Sequence, residues 1–471
     1  MTSFRFIHAA DLHLGSPLSG LMLKDRQMAE RFAAAGRAAF SALIEYALVE
    51  KVDFLVIAGD VYDGAWKDNH IGLFFNREIA RLSRAGIPVY FLRGNHDAES
   101  IVTRTIEMPE GVHEFSTRKP ETFVLDELKV ALHGQGFAER VAADNLALSY
   151  PPAVPGHFNI GVLHTSLSGR PPHAVYAPCS VADLASRGYD YWALGHVHAF
   201  EAVSTDPLTI YPGNLQGRNI RETGPKGAVL VTVADGYTRY ERVMLDCARF
   251  ETLTMTVTPD MRDGDILGLV EHAARDFAEA ADQRPIALRL RLEGMHQASA
   301  HFSAARGDWH DDLQAALQRV HAELWLEKLV IDLQPPEDAR PQSDDETTLD
   351  IERMIDAIAA ENEMMQELDA LIEEIKNKLP GGIGASDEPL GEAPSAILAE
   401  ARAILAARLG SGADACASFR SNSSATAISP IVSFLSGLTP RCTSSMVRTR
   451  PESPRHFPPF LICSSGFPRE R

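Results

Sequence analysis

The residues best suited to chemistry stand in short clusters: Asp11-Leu12-His13, Gly59-Asp60-Val61-Tyr62-Asp63, Gly94-Asn95-His96-Asp97, His164 and Gly195-His196-Val197-His198. Tyr211-Pro212-Gly213-Asn214 and Gly217-Arg218 follow them. Carboxylate, amide oxygen and imidazole together suit hard to borderline divalent cations: manganese, magnesium, iron or zinc. No cysteine takes part, which argues against a structural thiolate zinc site. Taken singly, each cluster has an ordinary explanation: Asp11 as a turn former, Gly94-Asn95 as a turn, His164 as a satisfied buried histidine. Their number and order are harder to explain that way. The chemistry they fit is hydrolysis of a phosphate ester at bound cations.

Each cluster follows a short apolar run that reads as a strand: residues 4–10, 52–58, 89–92, 158–163 and 191–194. Residues 24–50 and 71–85 read as helices between them, and 122–124, 130–133 and 228–233 as further strands. This alternation predicts an α/β fold, a two-layered β-sheet sandwich core flanked by helices, over residues 1–246. Ligands in such folds gather beyond the carboxyl ends of the strands. Asp11 with His13, and His196 with His198, are two apart, so extended chain would turn each pair to one side. His8 and His133 read as strand residues with a hydrogen-bond partner, and His70 and His113 as loop residues.

Residues 247–335 change character. Strands at 250–257, 286–292 and 329–333 alternate with helices at 266–281 and 309–324, a small separate α/β domain. A linker at 336–346, rich in proline and charge, leads to a helical extension over 347–410. Ile351, Ile355, Ile358, Met365, Leu368, Ile372, Ile375 and Leu379 form one stripe there, and Ile397, Ala401, Ile404, Leu405 and Leu409 a second. Such stripes need a cover: their own preceding domain or a partner's helix pair. From Cys416 onward there are seven arginines, no lysine and two acids. Residues 411–471 therefore read as a disordered tail, either a natural basic segment or the product of a frameshift.

Composition bounds the rest. A chain of 471 residues with five cysteines at unpaired spacing fits two or three domains and a reducing, cytoplasmic setting. The N-terminus lacks a secretion signal pattern, and no apolar run is expected to span a membrane. The formal charge of -19 opposes a DNA substrate, since nucleic-acid binders usually carry a basic face. Bound cations, or a partner that grips the DNA, would offset it. Arg218 and Arg221 are candidate phosphate contacts. Gly15 to Gly20 lacks the Gly-Lys-Ser/Thr run of a Walker site, so any ATP dependence would come from a partner.

The clusters resemble those of the calcineurin-like metallophosphoesterase superfamily. The opening Phe6-Ile7-His8-Ala9-Ala10-Asp11-Leu12-His13-Leu14-Gly15 and the Tyr211-Pro212-Gly213-Asn214 stretch are similar to SbcD-type DNA repair exonucleases, especially their YhaO-type bacterial branch. The resemblance implies that Asp11, His13 and His198 hold one metal, Asn95, His164 and His196 a second, and that Asp60 bridges them. It makes His96 the catalytic histidine with Asp97 beside it, and Asp63 and Asp97 supports behind the ligands. Asp63 stands where some relatives have a histidine, so a second substrate-facing imidazole is missing. Two metals about 3.5–4 Å apart can clamp the attacking and leaving oxygens of an in-line displacement. The resemblance further implies manganese, 3′ to 5′ digestion of DNA, a homodimer, nucleoid association on DNA, a domain after 246 that caps the site, and an SbcC-like SMC-type ATPase partner docked on the helical extension. Two other readings fit the same clusters: a phosphodiesterase or phosphatase for small phosphate esters, and a scaffold without turnover. The second usually goes with lost ligands, and here every ligand position is filled.

Overall fold

A computed structural model describes residues 3–16, 26–63, 69–99, 107–168 and 176–336, with Gln366, Ala370, Leu371 and Glu374 as exposed helical residues beyond them. Most of the expected linker and helical extension, and all of the tail, lie outside the described residues.

Strands β1 (Phe4–Ala9), β2 (Phe54–Ile57), β3 (Val89–Phe91) and β4 (Val112–Glu114) run parallel, in that order, through one sheet. Helices α1 (Arg26–Glu50) and α2 (Asn69–Arg84) supply the crossovers. The second sheet holds β5 (Glu121–Leu125), β6 (Val130–Gly134), β7 (Phe158–His164), β8 (Tyr191–Gly195), β9 (Glu201–Thr205) and β10 (Leu208–Tyr211), in the order β5-β6-β7-β8-β10-β9. The one-turn helix α3 (Val181–Ala185) precedes β8. Strands β11 (Gly227–Ala234) and β12 (Tyr237–Met244) then return to the first sheet, where β11 pairs antiparallel with β1.

Alternation in β1 explains its place at the centre. Phe4 and Phe6 face the second sheet and join Phe54, Val56, Ile160, Val162 and Tyr191 in the inter-sheet core. Ile7 and Ala9 face the other way, toward Phe40, Leu43 and Ile44 of α1 and Phe75 of α2. A strand buried on both faces is expected to be apolar, and β1 is, save buried His8 and the half-buried Arg5 near its start, which pairs with Glu50. Phe6 stacks on Phe54 with ring centroids 4.9 Å apart. His8 is buried between the Tyr191 hydroxyl, 2.9 Å from Nδ1, and the Leu194 carbonyl, 3.1 Å from Nε2.

Met28–Glu50 is long and apolar enough, by length and composition alone, to cross a membrane. That corrects the expectation that no run reaches this length. Ala39, Phe40, Leu43, Ile44 and Ala47 are buried against the first sheet, which accounts for the apolar content.

A third sheet is wholly parallel: β13 (Arg249–Val257), β14 (Ile286–Met295) and β15 (Leu324–Gln334). Helices α4 (Asp263–Ala281), α5 (Ser299–Ala304) and α6 (Arg306–Val320) cover one face around Leu288, Leu290, Leu292, Trp309 and Leu313. The expected helix over 309–324 ends at Val320, and Leu324 already pairs with Ile286. The last strand therefore begins five residues before the expected Leu329. Glu327 and Lys328 hide it in the sequence, yet Glu327 is buried because Arg289 pairs with it at 2.7 Å. Two histidines expected in loops are in elements: His70 in α2 and His113 in β4.

Candidate metal centre

Five strands of the two large sheets end at one rim, and each delivers donors there. Beyond β1 and β2 the two chains stay zipped together: Asp11 N donates to Gly59 O, His13 N to Asp60 O and Leu14 N to Val61 O, at 2.9–3.0 Å. Asp11, His13, Asp60 and His196 have φ of 52°, 42°, 52° and 100°. Non-glycine residues in the left-handed region cost of order 1–3 kcal/mol each and concentrate at functional sites. The pairs two apart thus converge by kinks, whereas extended chain was the expectation. Asp11, His13 and His198 nonetheless place donor atoms within 4.8 Å of one another.

Glycines clear space for these side chains. A Cβ on Gly94 would lie 2.2 Å from Asp60 Oδ1, and one on Gly195 would lie 1.9 Å from Ala58 O. The Gly-Asn-His and Gly-His patterns therefore encode close approach of strand exits.

Asp60 stands at the middle. Its Oδ1 accepts from the His96 backbone N–H at 2.9 Å, while Oδ2 lies 3.3 Å from His164 Nε2 and 3.8 Å from His13 Nε2. His164 Nδ1 faces the Ala58 carbonyl at 2.9 Å, an acceptor, so Nδ1 carries the proton. In the neutral ring, Nε2 then presents a lone pair. It points at two further acceptors, Asp60 Oδ2 and Asn95 Oδ1, the latter 3.0 Å away. Three acceptors that meet head-on require a positive species between them, either a proton or a cation. On the other side of Asp60, His13 Nε2 and His198 Nε2 approach to 3.2 Å. The His196 ring packs edge-on to His164 at 5.2 Å, and its backbone N–H donates to both oxygens of Asp11. This donor set fits divalent cations. Carboxylates and imidazoles form overlapping groups: Asp11 with His13 and His198, His13 with Asp60 and His96, and Asp11 with Asp60 and His164. The Asn95 amide oxygen lies beside His164.

Burial and charge set the protonation here. Burial opposes a charge on Asp60, but His164, His13 and His96 together hold its carboxyl well below the usual range. Burial likewise opposes a proton on His164, yet Asp60 and Asp11 raise it to about 9. Burial lifts Asp11 to about 6, and burial with the nearby Arg218 lowers His13 to about 4. A cation held by His164 and Asp60 would compete with the His164 proton, so its binding would release protons.

Around these donors, His96 is the group that faces outward, with 32% of its side chain exposed. Its Nδ1 lies 2.9 Å from Asp63 Oδ1. Asp63 also lies 3.7 Å from His13 Nδ1 and 3.8 Å from Arg218, so it supports both imidazoles. Asp97, grouped with His96 in the sequence reading, accepts backbone N–H bonds from Val61, Tyr62 and Gly94 at 2.9–3.1 Å. It is buried and braces two loops, which leaves it no reach to a substrate. Arg218 points into the site from behind His198; Arg221 is exposed.

Sequence reasoning missed Glu222. Its buried carboxylate lies 2.8 Å from His198 Nδ1 and accepts from Arg218 and Asn214.

Residues 4–200 match the calcineurin-like phosphoesterase profile, and residues 250–334 match the middle domain of metallophosphoesterase YhaO. The chain is 36% identical over 327 residues to the uncharacterized metallophosphoesterase YhaO of Bacillus subtilis, which covers 69% of this chain and 79% of that one. The chain belongs to the calcineurin-like phosphoesterase family. This phosphoesterase is also 28% identical over 232 residues to the DNA double-strand break repair protein Mre11 of Methanopyrus kandleri, covering 45% of this chain and 48% of the relative. For Mre11 of Sulfurisphaera tokodaii the identity is 26% over 276 residues, covering 56% and 68%. Among solved structures, a dimetal phosphatase from Danio rerio overlaps 52% of the phosphoesterase and 98% of its own chain, with TM-score 0.34 and 11% identity. Family membership makes the chain a phosphoester hydrolase that uses divalent metals, and the convergent donors are where such ions fit.

Proposed function

We propose that this phosphoesterase is a two-metal phosphodiesterase that cuts DNA, a repair exonuclease or endonuclease subunit. The observation that carries the reading is Asp60, whose one carboxylate faces His164 at 3.3 Å and His13 at 3.8 Å. It would bridge a metal held by Asp11, His13 and His198 and another held by Asn95, His164 and His196. The Mre11 relatives support DNA as the substrate. Bound divalent ions supply Lewis-acid charge to the phosphoryl oxygens and make an attacking water more acidic. Asp63 holds His96 by Nδ1, which directs Nε2 outward to hand a proton to the leaving oxygen. The Arg218 guanidinium adds fixed positive charge on the phosphate side. Manganese is the metal we favour. A homodimer in the cytoplasm, joined through its helical extension to an SMC-like ATPase, completes the proposal.

The charge of -19 favours a second reading, a small phosphate ester as substrate. One assay separates them. Purified protein with manganese is offered duplex DNA, single-stranded DNA and a small diester, each beside His96→Ala. We expect DNA cleavage that the variant loses; cleavage of the small diester alone would replace DNA as substrate.

A further inference from the structure

Glu222 lies four residues beyond Gly217-Arg218, the last stretch that marks the site, yet among the described residues it is a heavily bonded carboxylate near it. Its Oε1 lies 2.8 Å from His198 Nδ1 and accepts from Arg218 NH2 at 2.7 Å. Its Oε2 accepts from Asn214 Nδ2 and from the Arg218 backbone N–H, both at 2.8 Å. Only 8% of the side chain is exposed. A buried carboxylate with these partners can be a loop brace. The ring beside it points to more.

His198 Nδ1 has two neighbours that make opposite demands. Glu222 can only accept and pulls the ring proton onto Nδ1. Arg218 NH2, 3.1 Å from the same nitrogen, can only donate and would push that proton to Nε2. Nε2 is the atom that faces His13 at 3.2 Å, on the side of the candidate metal. With the proton on Nδ1, Nε2 offers a lone pair; with the proton on Nε2, the ring cannot ligate. We infer that Glu222 is a positioning residue that selects the ligating tautomer of His198 against Arg218, so that an arginine can stand beside a metal ligand without disabling it. The same carboxylate holds that arginine by both its backbone and its guanidinium. Metal grip and phosphate-side charge are thereby built on one acid. The inference rests on the metal assignment proposed above.

Two variants that remove the same charge isolate the tautomer. Glu222→Ala leaves Arg218 alone with Nδ1. Glu222→Gln keeps a carbonyl oxygen that can still accept from Nδ1. Calorimetric titration with Mn2+ should show binding about 10–100-fold weaker in Glu222→Ala, with most of that loss recovered in Glu222→Gln. Long-range proton–nitrogen NMR of histidine, with His198 assigned by its loss in His198→Gln, should show Nδ1–H in the parent and in Glu222→Gln, and Nε2–H in Glu222→Ala. Undiminished Mn2+ binding in Glu222→Ala, or a Gln variant as weak as Ala, would overturn the inference. Should Glu222→Ala fail to fold by thermal melting, the Glu222→Gln spectrum still decides, since Nε2–H there would refute it. A parent that binds no Mn2+ would defeat the metal assignment instead, while an Nε2–H tautomer in the parent would defeat the inference alone.

Discussion

The two α/β parts of this chain use similar pieces to different ends. In the sandwich, parallel strands finish at a rim where four donor residues hold left-handed backbone conformations and buried charge. In the three-stranded part, β13, β14 and β15 are also parallel and also helix-covered, but among the described residues no group of metal donors gathers at their ends. His296, just past β14, is used up internally: its Nε2 bonds to Met261 O, and its Nδ1 accepts from Ala298 N. The other face of that sheet carries Arg289, Arg291 and Lys328, with Arg289 and Arg291 paired to Glu327 and Asp332. Parallel topology supplies an address for a site; only residues that accept strain and unfavourable charge there make it one.

Substitutions can break that contrast. His96→Ala, at the rim, should lower turnover by about 10²–10⁴-fold while Mn2+ affinity stays near the parent value; steady-state kinetics with calorimetry checks both. The direction of its pH dependence also follows. Burial opposes the His96 proton, but Asp63 and Asp60 outweigh it and raise the pKa. A general acid so held loses activity as pH rises through that raised value. Asp63→Asn should therefore move the alkaline limb of the rate profile to lower pH.

In the other part, effects should fall on stability alone. Leu313 of α6 is fully buried in the core of the third sheet. Leu313→Ala should cost about 2–5 kcal/mol in denaturant titration, and Mn2+ affinity of the folded variant should not change. A large loss of affinity would mean that the two parts act as one site.

His8 sharpens the boundary within the sandwich itself. It lies three residues before Asp11, but burial lowers its pKa to about 3. The unfolded chain takes up this proton first, near pH 6.5, so His8 removes stability as pH falls from there toward 3. Between pH 7.5 and 5.0 the loss is about 2 kcal/mol. Denaturant midpoints of the parent and His8→Gln at both pH values should show a shallower fall in the variant. At the smallest end, Arg291→Ala breaks a pair about half exposed on both sides and should change stability by no more than about 1 kcal/mol.

Much of this was legible in the residues. The apolar runs that precede each ligand gave the strands of the rim, because a strand buried on both faces has no room for polar residues. The ligand types gave the metal chemistry. Backbone conformation at Asp11, His13 and His196 was not legible, because no local pattern marks a non-glycine residue forced into the left-handed region; tertiary contacts impose it. The polar, half-exposed strands β9 and β12 lack an alternating signal. Glu327 concealed the start of β15, since its partner Arg289 is 38 residues away. Glu222 was missed for the same reason, as its bonds to His198 and Asn214 become visible only when the loops meet.

The central claim is that the strand tips grip a pair of divalent ions through Asp60. Metal content after equilibration with Mn2+ and removal of free ion tests it most directly. Two ions per chain in the parent, and loss of the pair in a folded Asp60→Ala, are the predicted result. No stoichiometric ion in the parent, or equal content in the variant, would contradict it.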